Sequence, residues 1–193
     1  MKRTTILLAL TALLGACGGG GTGSDATITG LSIRMLADET APLRYRGTAL
    51  VTVSGSGLDG AALSFGGNAC VLAGAPSGFN DSDTRRYRQC TLVGVGNQQL
   101  TVAVSGNAVA QTVSFTVPQP QVTVNVTANG SALGSFVLTL DPARAPLTVD
   151  NFLAYTNAGF YNGTVFHRHA PGFVLQGGGY AAPVVTTTVP TAK

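Results

Sequence analysis

Apolar and polar residues alternate with a period of two through most of this chain. In 109–117, Val109, Gln111, Val113, Phe115 and Val117 fall on one face, and Ala110, Thr112, Ser114 and Thr116 on the other. That period predicts a strand with one mostly apolar face. Shorter runs predict strands over 28–34, 48–53, 62–65, 69–73, 88–93 and 99–104. Turn signals separate them, among them Ser54-Gly55-Ser56-Gly57, Gly66-Gly67-Asn68 and the hairpin turn Ser105-Gly106-Asn107. About seven short strands over 25–117, with no helical periodicity, predict an antiparallel β-sandwich.

Val117-Pro118-Gln119-Pro120-Gln121 reads as a short stiff linker, with 118–121 between two units. Alternation then resumes, with Val122, Val124 and Val126 on one face and Thr123, Asn125 and Thr127 on the other. Ala128-Asn129-Gly130 turns the chain, and 133–140 returns as the second strand of a hairpin. Pro142 and Pro146 bar a central strand from the next segment. Val149, Phe152, Leu153 and Thr156 recur at helical spacing, which predicts a helix over 148–158. Thr148 is its expected N-cap, Asp150 and Asn151 fall in the expected first turn, and Gly159 ends it. Phe152 is read as core. Strands are expected over 165–169 and from Val174 to Gln176, and residues 180–193 as an irregular tail.

The first unit is similar in architecture to immunoglobulin-like domains. It has no tryptophan, so it lacks their Cys-Trp-Cys hallmark. Asp81, Asp83, Arg85, Arg86 and Arg88 read as one polar loop, solvated and without catalytic function. The alternative is a recognition loop with Tyr87 as its aromatic contact.

Composition adds the compartment. Met1-Lys2-Arg3 followed by the apolar run 6–14 has the form of a signal peptide, and that run is too short to span a bilayer. It ends in Leu14-Gly15-Ala16-Cys17, which resembles a bacterial lipobox. The resemblance implies cleavage after residue 16, lipidation of Cys17 and a membrane anchor, with 17–24 as a Gly-rich tether. Gly18 after the cysteine implies sorting to the outer membrane, facing the periplasm. In that oxidising compartment Cys70 and Cys90 are expected to form a disulfide, two separate thiols being the alternative. Their loop would contribute roughly 3 kcal/mol on closure. The formal charge is +3, and setting aside Lys2 and Arg3 leaves 9 basic against 8 acidic residues, or +1. That balance gives no case for nucleic acid.

The densest chemistry lies in Phe166-His167-Arg168-His169-Ala170-Pro171-Gly172-Phe173-Val174-Leu175-Gln176-Gly177-Gly178-Gly179. Taken singly, Arg168 would be a surface charge, Phe173 and Val174 core, and Gln176 a turn residue. Together with 134–140, 145–152 and 159–164, the stretch resembles the first half of a cyclophilin, a peptidyl-prolyl cis-trans isomerase. The resemblance runs from Val122 to about Tyr180. It implies a partial cyclophilin-like β-barrel with one short helix over 122–193. It implies catalysis by Arg168, Phe173 and Gln176, and substrate binding by His167 and Val174. The substrates would be proline-containing polypeptides of exported proteins.

No cofactor or metal is expected. His167 and His169 stand two apart with no Cys, Asp or Glu nearby in sequence. The sequons at Asn125, Asn129 and Asn162 are read as silent in a bacterial lipoprotein. About half of such a barrel is supplied, so the 193-residue chain is expected to have little isomerase activity by itself, as a truncated gene reading or gene fragment would. The alternative is a non-enzymatic cell-envelope lipoprotein that binds a partner through its immunoglobulin-like unit.

Overall fold

The computed structural model describes residues 26–105, 110–182 and 191–192. The leader, Cys17, the tether, Gly106-Asn107 and Val109 lie outside these residues. The described chain is mostly β, with one short helix. The strands are β1 (Thr27–Met35), β2 (Thr48–Ser56), β3 (Leu63–Gly66), β4 (Cys70–Ala73), β5 (Arg85–Leu92), β6 (Gly96–Val104) and β7 (Ala110–Val117). Then come β8 (Gln121–Ala128), β9 (Ser131–Thr139), helix α1 (Pro146–Asn157), β10 (Thr164–Ala170), β11 (Val174–Ala181) and β12 (Thr191–Ala192).

The first seven strands form two antiparallel sheets, in the orders β1-β2-β5-β4 and β3-β6-β7. Both contribute to one buried cluster: Val51 and Val53 from β2, Cys90 and Leu92 from β5, Leu100 and Val102 from β6, and Val117 from β7. Along β7, residues 111, 113, 115 and 117 are the less exposed ones, so its inward face follows the sequence alternation. Each fully buried Val or Leu contributes about 1.5–3 kcal/mol relative to exposure. Within the first sheet β1 and β2 approach closely at Gly55, where a Cβ would lie 1.9 Å from the Thr27 carbonyl oxygen of β1.

Cys70 and Cys90 are disulfide-bonded, with a Cα–Cα distance of 5.2 Å. The bond ties the four-residue edge strand β4 to β5, its partner in the sheet. Within the chain it spans, one polar feature departs from expectation. Arg85, Arg86 and Arg88 lie on β5, not in a loop, because they pair with Ser54, Val53 and Val51 of β2. Asp81 remains in the loop and accepts three hydrogen bonds: from Arg86 Nε at 2.8 Å, Arg88 Nη1 at 2.9 Å and the Tyr87 backbone N–H at 2.8 Å. Burial alone would raise the Asp81 carboxyl, but the Tyr87 N–H and the Arg88 and Arg86 guanidinium groups outweigh it and hold the pKa below the ordinary value.

Beyond residue 117 the strands form a β8–β9 hairpin and a sheet in the order β10-β11-β12. Among the described residues these sheets do not close into a barrel. Residues 180–181, expected in an irregular tail, belong to β11 and pair with Thr191–Ala192. Residues 183–190 and 193 of that expected tail lie outside the described residues.

The helix also starts earlier than expected. Pro146 opens it, Ala145 is the N-cap, and no side chain caps it, so Thr148 is inside the helix. Proline suits the first helical position because its φ is preset and an N–H there has no helical partner. The turn ahead is organised by Asp141, whose Oδ1 accepts from the Ala143 N–H at 3.1 Å and whose backbone oxygen accepts from Ala145 at 3.1 Å. Asp150 is therefore past the first turn and is not a helix-end charge. Gly159, at φ 71°, ends the helix, donating to Thr156 O at 3.0 Å.

Candidate functional site

The motif residues are set by a hairpin. Ala170-Pro171-Gly172-Phe173 turns β10 into β11, with the Phe173 N–H donating to Ala170 O at 3.0 Å. Proline presets φ at the second turn position, and Gly172 takes φ 72° at the third, the requirement of a type II turn. The register then places Arg168 opposite Gln176 and Ala170 opposite Val174.

This geometry brings the three expected catalytic residues together. Arg168 Nη1 donates to Gln176 Oε1 at 3.4 Å. The Arg168 guanidinium carbon lies 5.8 Å from the Phe173 ring centroid, within cation–π range. The Phe173 ring is 81% exposed, so it offers an apolar platform to solvent. Val174 is half-buried at the start of β11. His167 sits apart from this trio. Its ring packs edge-on against Tyr180, with centroids 4.8 Å apart and planes at 75°.

The three glycines after Gln176 are strand residues, not a turn. A Cβ on Gly177 would stand 2.7 Å from the Phe166 ring, and one on Gly178 would stand 3.1 Å from the Tyr161 ring. Both rings lie over a strip of β11 that has no side chains. Phe166 in turn meets Phe136 of β9, with centroids 6.3 Å apart. Tyr161 packs on Phe152 of α1 at 5.3 Å and on Phe160 at 5.2 Å. Thus Phe152 is bound into an aromatic cluster beneath the hairpin. Sequence reasoning missed Tyr180, Tyr161 and Phe136 as supports of the site. The run of glycines was the available signal, because a strand lacking side chains leaves room for rings from elsewhere.

Chemically the hairpin presents a guanidinium, a carboxamide and an exposed aromatic ring on one short stretch. Among the described residues no group of three or more His, Cys, Asp or Glu is placed to hold a metal ion.

Residues 123–192 match the family model described as cyclophilin type peptidyl-prolyl cis-trans isomerase/CLD, which is just over a third of the 193 residues. The chain is 52% identical over 52 residues to peptidyl-prolyl cis-trans isomerase A of Dickeya dadantii, covering 27% of each chain. It is 54% identical over 50 residues to an isomerase of Streptomyces antibioticus, covering 26% of this chain and 30% of that one. With isomerase B of Escherichia coli it shares 51% over 47 residues, covering 24% and 29% respectively. The matched stretch thus spans between a quarter and a third of the length of these curated relatives. No solved structure matches the chain. The stretch that matches this family model begins just after the linker and contains Arg168, Phe173 and Gln176.

Proposed function

We propose that this protein is a cyclophilin-type peptidyl-prolyl cis-trans isomerase acting on exported polypeptides. One observation carries the reading. Arg168, Phe173 and Gln176 converge on one hairpin within the stretch that matches the isomerase family.

Rotation about an X-Pro bond loses amide resonance and faces a barrier of about 20 kcal/mol. In the twisted state the prolyl nitrogen becomes pyramidal and can accept a hydrogen bond. The Arg168 guanidinium, oriented by Gln176 and by the Phe173 ring, donates to that nitrogen. The planar ground-state amide offers it no such acceptor, so the interaction favours the transition state alone. Phe173 packs against the pyrrolidine ring. Gln176 holds the substrate backbone, and His167, braced by Tyr180, borders the pocket with Val174. The reaction needs no covalent intermediate, metal or cofactor.

The same reading extends to where this activity acts. The lipobox-like Cys17 supports a lipid-anchored protein of the cell envelope, in the outer membrane and facing the periplasm. The two-sheet unit is read as an immunoglobulin-like domain.

A second reading is a non-enzymatic envelope lipoprotein that binds a partner through its first unit. It is favoured by the 81% exposure of Phe173, which leaves the proline platform with a floor and open sides. A proline-isomerisation assay on the chain starting at Gly18, run beside Arg168→Ala, separates the two. Catalysis that the alanine variant loses supports the isomerase. Equal and negligible rates in both proteins support the second reading.

A further inference from the structure

Helix α1 has a face that the isomerase motif does not use. At its centre the Asp150 carboxylate accepts three hydrogen bonds from the segment between β1 and β2. Tyr45 Oη donates to Oδ1 at 2.9 Å, Arg46 Nε donates to Oδ1 at 2.8 Å, and Arg46 Nη2 donates to Oδ2. The guanidinium therefore grips the carboxylate in a two-pronged arrangement, the strongest geometry open to such a pair. The partners are 104 and 105 residues apart in sequence.

Apolar contacts flank this ion pair on one side, while Arg46 and Asp150 stay partly exposed. Val149, only 6% exposed, belongs to the same buried cluster as Met35, Tyr45 and Leu92 of the first unit. Leu153 and Leu140 pack against that cluster. The Arg46 backbone takes φ 61°, a left-handed conformation uncommon for a residue with a side chain. It is held there by the Arg46 N–H donating to Leu92 O at 2.8 Å and the Gly47 N–H donating to Arg44 O at 2.9 Å. Gly47 suits the position beside it, since a Cβ there would stand 2.9 Å from the Arg44 backbone oxygen. The linker is tied as well, Leu140 donating to Pro120 O at 2.9 Å. A unit on a free tether would show none of these contacts.

We infer that the Val149-Asp150-Leu153 face of α1 is an intramolecular docking surface whose partner is the Tyr45-Arg46 corner of the first unit. The two units then move as one body. Asp150 is a positioning residue. It fixes α1, and through the Phe152–Tyr161 ring contact the β10–β11 hairpin, relative to the two-sheet unit. The first unit is thus a structural platform for the isomerase-like stretch, not a spacer. This inference does not depend on whether the hairpin catalyses.

The test uses the whole exported chain and the variants Arg46→Asp, Asp150→Arg and their combination. NMR relaxation reads the rotational correlation time of amides in β1–β7 and, separately, in α1 and β8–β11. One shared time is expected for the native chain, a shorter time for the second set in either single variant, and a shared time again in the double variant. Two separate times in the native chain, or one shared time in both single variants, would overturn the inference. If a charge reversal prevents folding, Asp150→Asn keeps the shape and removes the charge. About tenfold faster hydrogen exchange at Ala154 and Ala158, with β2 amides unchanged, then supports docking. Unchanged exchange at those two amides overturns it.

Discussion

Arg168 and Gln176 face each other across β10 and β11, and the guanidinium that donates to the Gln176 carboxamide at 3.4 Å also lies over the Phe173 ring. One side chain is thus oriented from two directions, which a flexible surface arginine would not be. If the twisted prolyl nitrogen is the acceptor, the planar fork matters as much as the charge. Arg168→Lys keeps the charge and loses the fork, and is expected to lower kcat by about 100-fold, as loss of a transition-state donor does. Gln176→Leu removes the contact to Arg168 and, in the proposed reading, the hold on the substrate backbone, and is expected to raise KM as well as lower kcat. A lysine variant with the native rate would show that charge alone suffices.

The disulfide predicts a stability difference confined to the first unit. β4 has four residues and is paired on one side only, by β5, so Cys70–Cys90 is its main tether. Replacing both cysteines with alanine is expected to cost about 2–4 kcal/mol. Cys90 is fully buried, so part of that cost is lost packing. Urea unfolding followed in β2 and β6 should show a lower midpoint, and reducing agent added to the native protein should lower it in the same direction. An unchanged midpoint in both would mean that strand pairing alone holds β4.

The parts of the molecule that were legible in the sequence are those in which one residue pattern maps directly onto one local shape. The alternation of 111, 113, 115 and 117 was enough to assign an inward face to β7. Pro171-Gly172 similarly announced the turn that sets Arg168 opposite Gln176. What escaped was decided between distant residues. Nothing local distinguishes Asp150 from a helix-end carboxylate, because Tyr45 and Arg46, which bind it, are more than a hundred residues away. Thr148 looked like a cap because its side chain can cap, but Pro146 had already started the helix. Arg85 to Arg88 looked like a solvated loop by composition, whereas pairing with β2 makes them strand. Charge content describes exposure and says little about backbone pairing.

Gly55 offers a test of how closely β1 and β2 approach. A methyl group there would fall 1.9 Å from the Thr27 carbonyl oxygen and 3.2 Å from the Ile28 Cα. Neither is the end of a flexible side chain, so the strands themselves must separate. Gly55→Ala is expected to destabilise the protein by about 1–3 kcal/mol, the usual range for forced overpacking. Gly60→Ala is the control for a glycine with nothing within 4 Å, its cost coming only from its φ of 70°. Calorimetry should show the larger drop in Tm for Gly55. Equal drops would locate the cost in backbone conformation and not in contact with β1.

The Asp150 junction predicts a pH signature. The hydrogen bond from Arg46 outweighs the opposing effect of burial and, with a lesser contribution from the Tyr45 bond, holds the Asp150 carboxyl below its ordinary value. The unfolded chain therefore takes up this proton at a higher pH than the folded one. The resulting stabilisation is present above the unfolded value of about 3.9 and is lost as pH falls through the folded value. Tyr45 shifts the other way: burial, then its bond to Asp150, raises its pKa, so the folded state keeps that proton after the unfolded chain loses it. That favours the folded protein below about pH 10 and weakens it above. Arg46 stays charged throughout, held up mainly by its bond to Asp150, and Arg44 lines the groove beside the pair without a bond to that carboxylate among those described. Asp81 also titrates in the acid range, but equally in the native protein and in Asp150→Asn, so it cancels from their difference. At pH 7 the Asn variant is expected to melt at a lower temperature. The two melting curves should converge as pH falls below about 4. A difference that persists unchanged into strong acid would mean that the carboxylate charge does not hold α1 to the first unit.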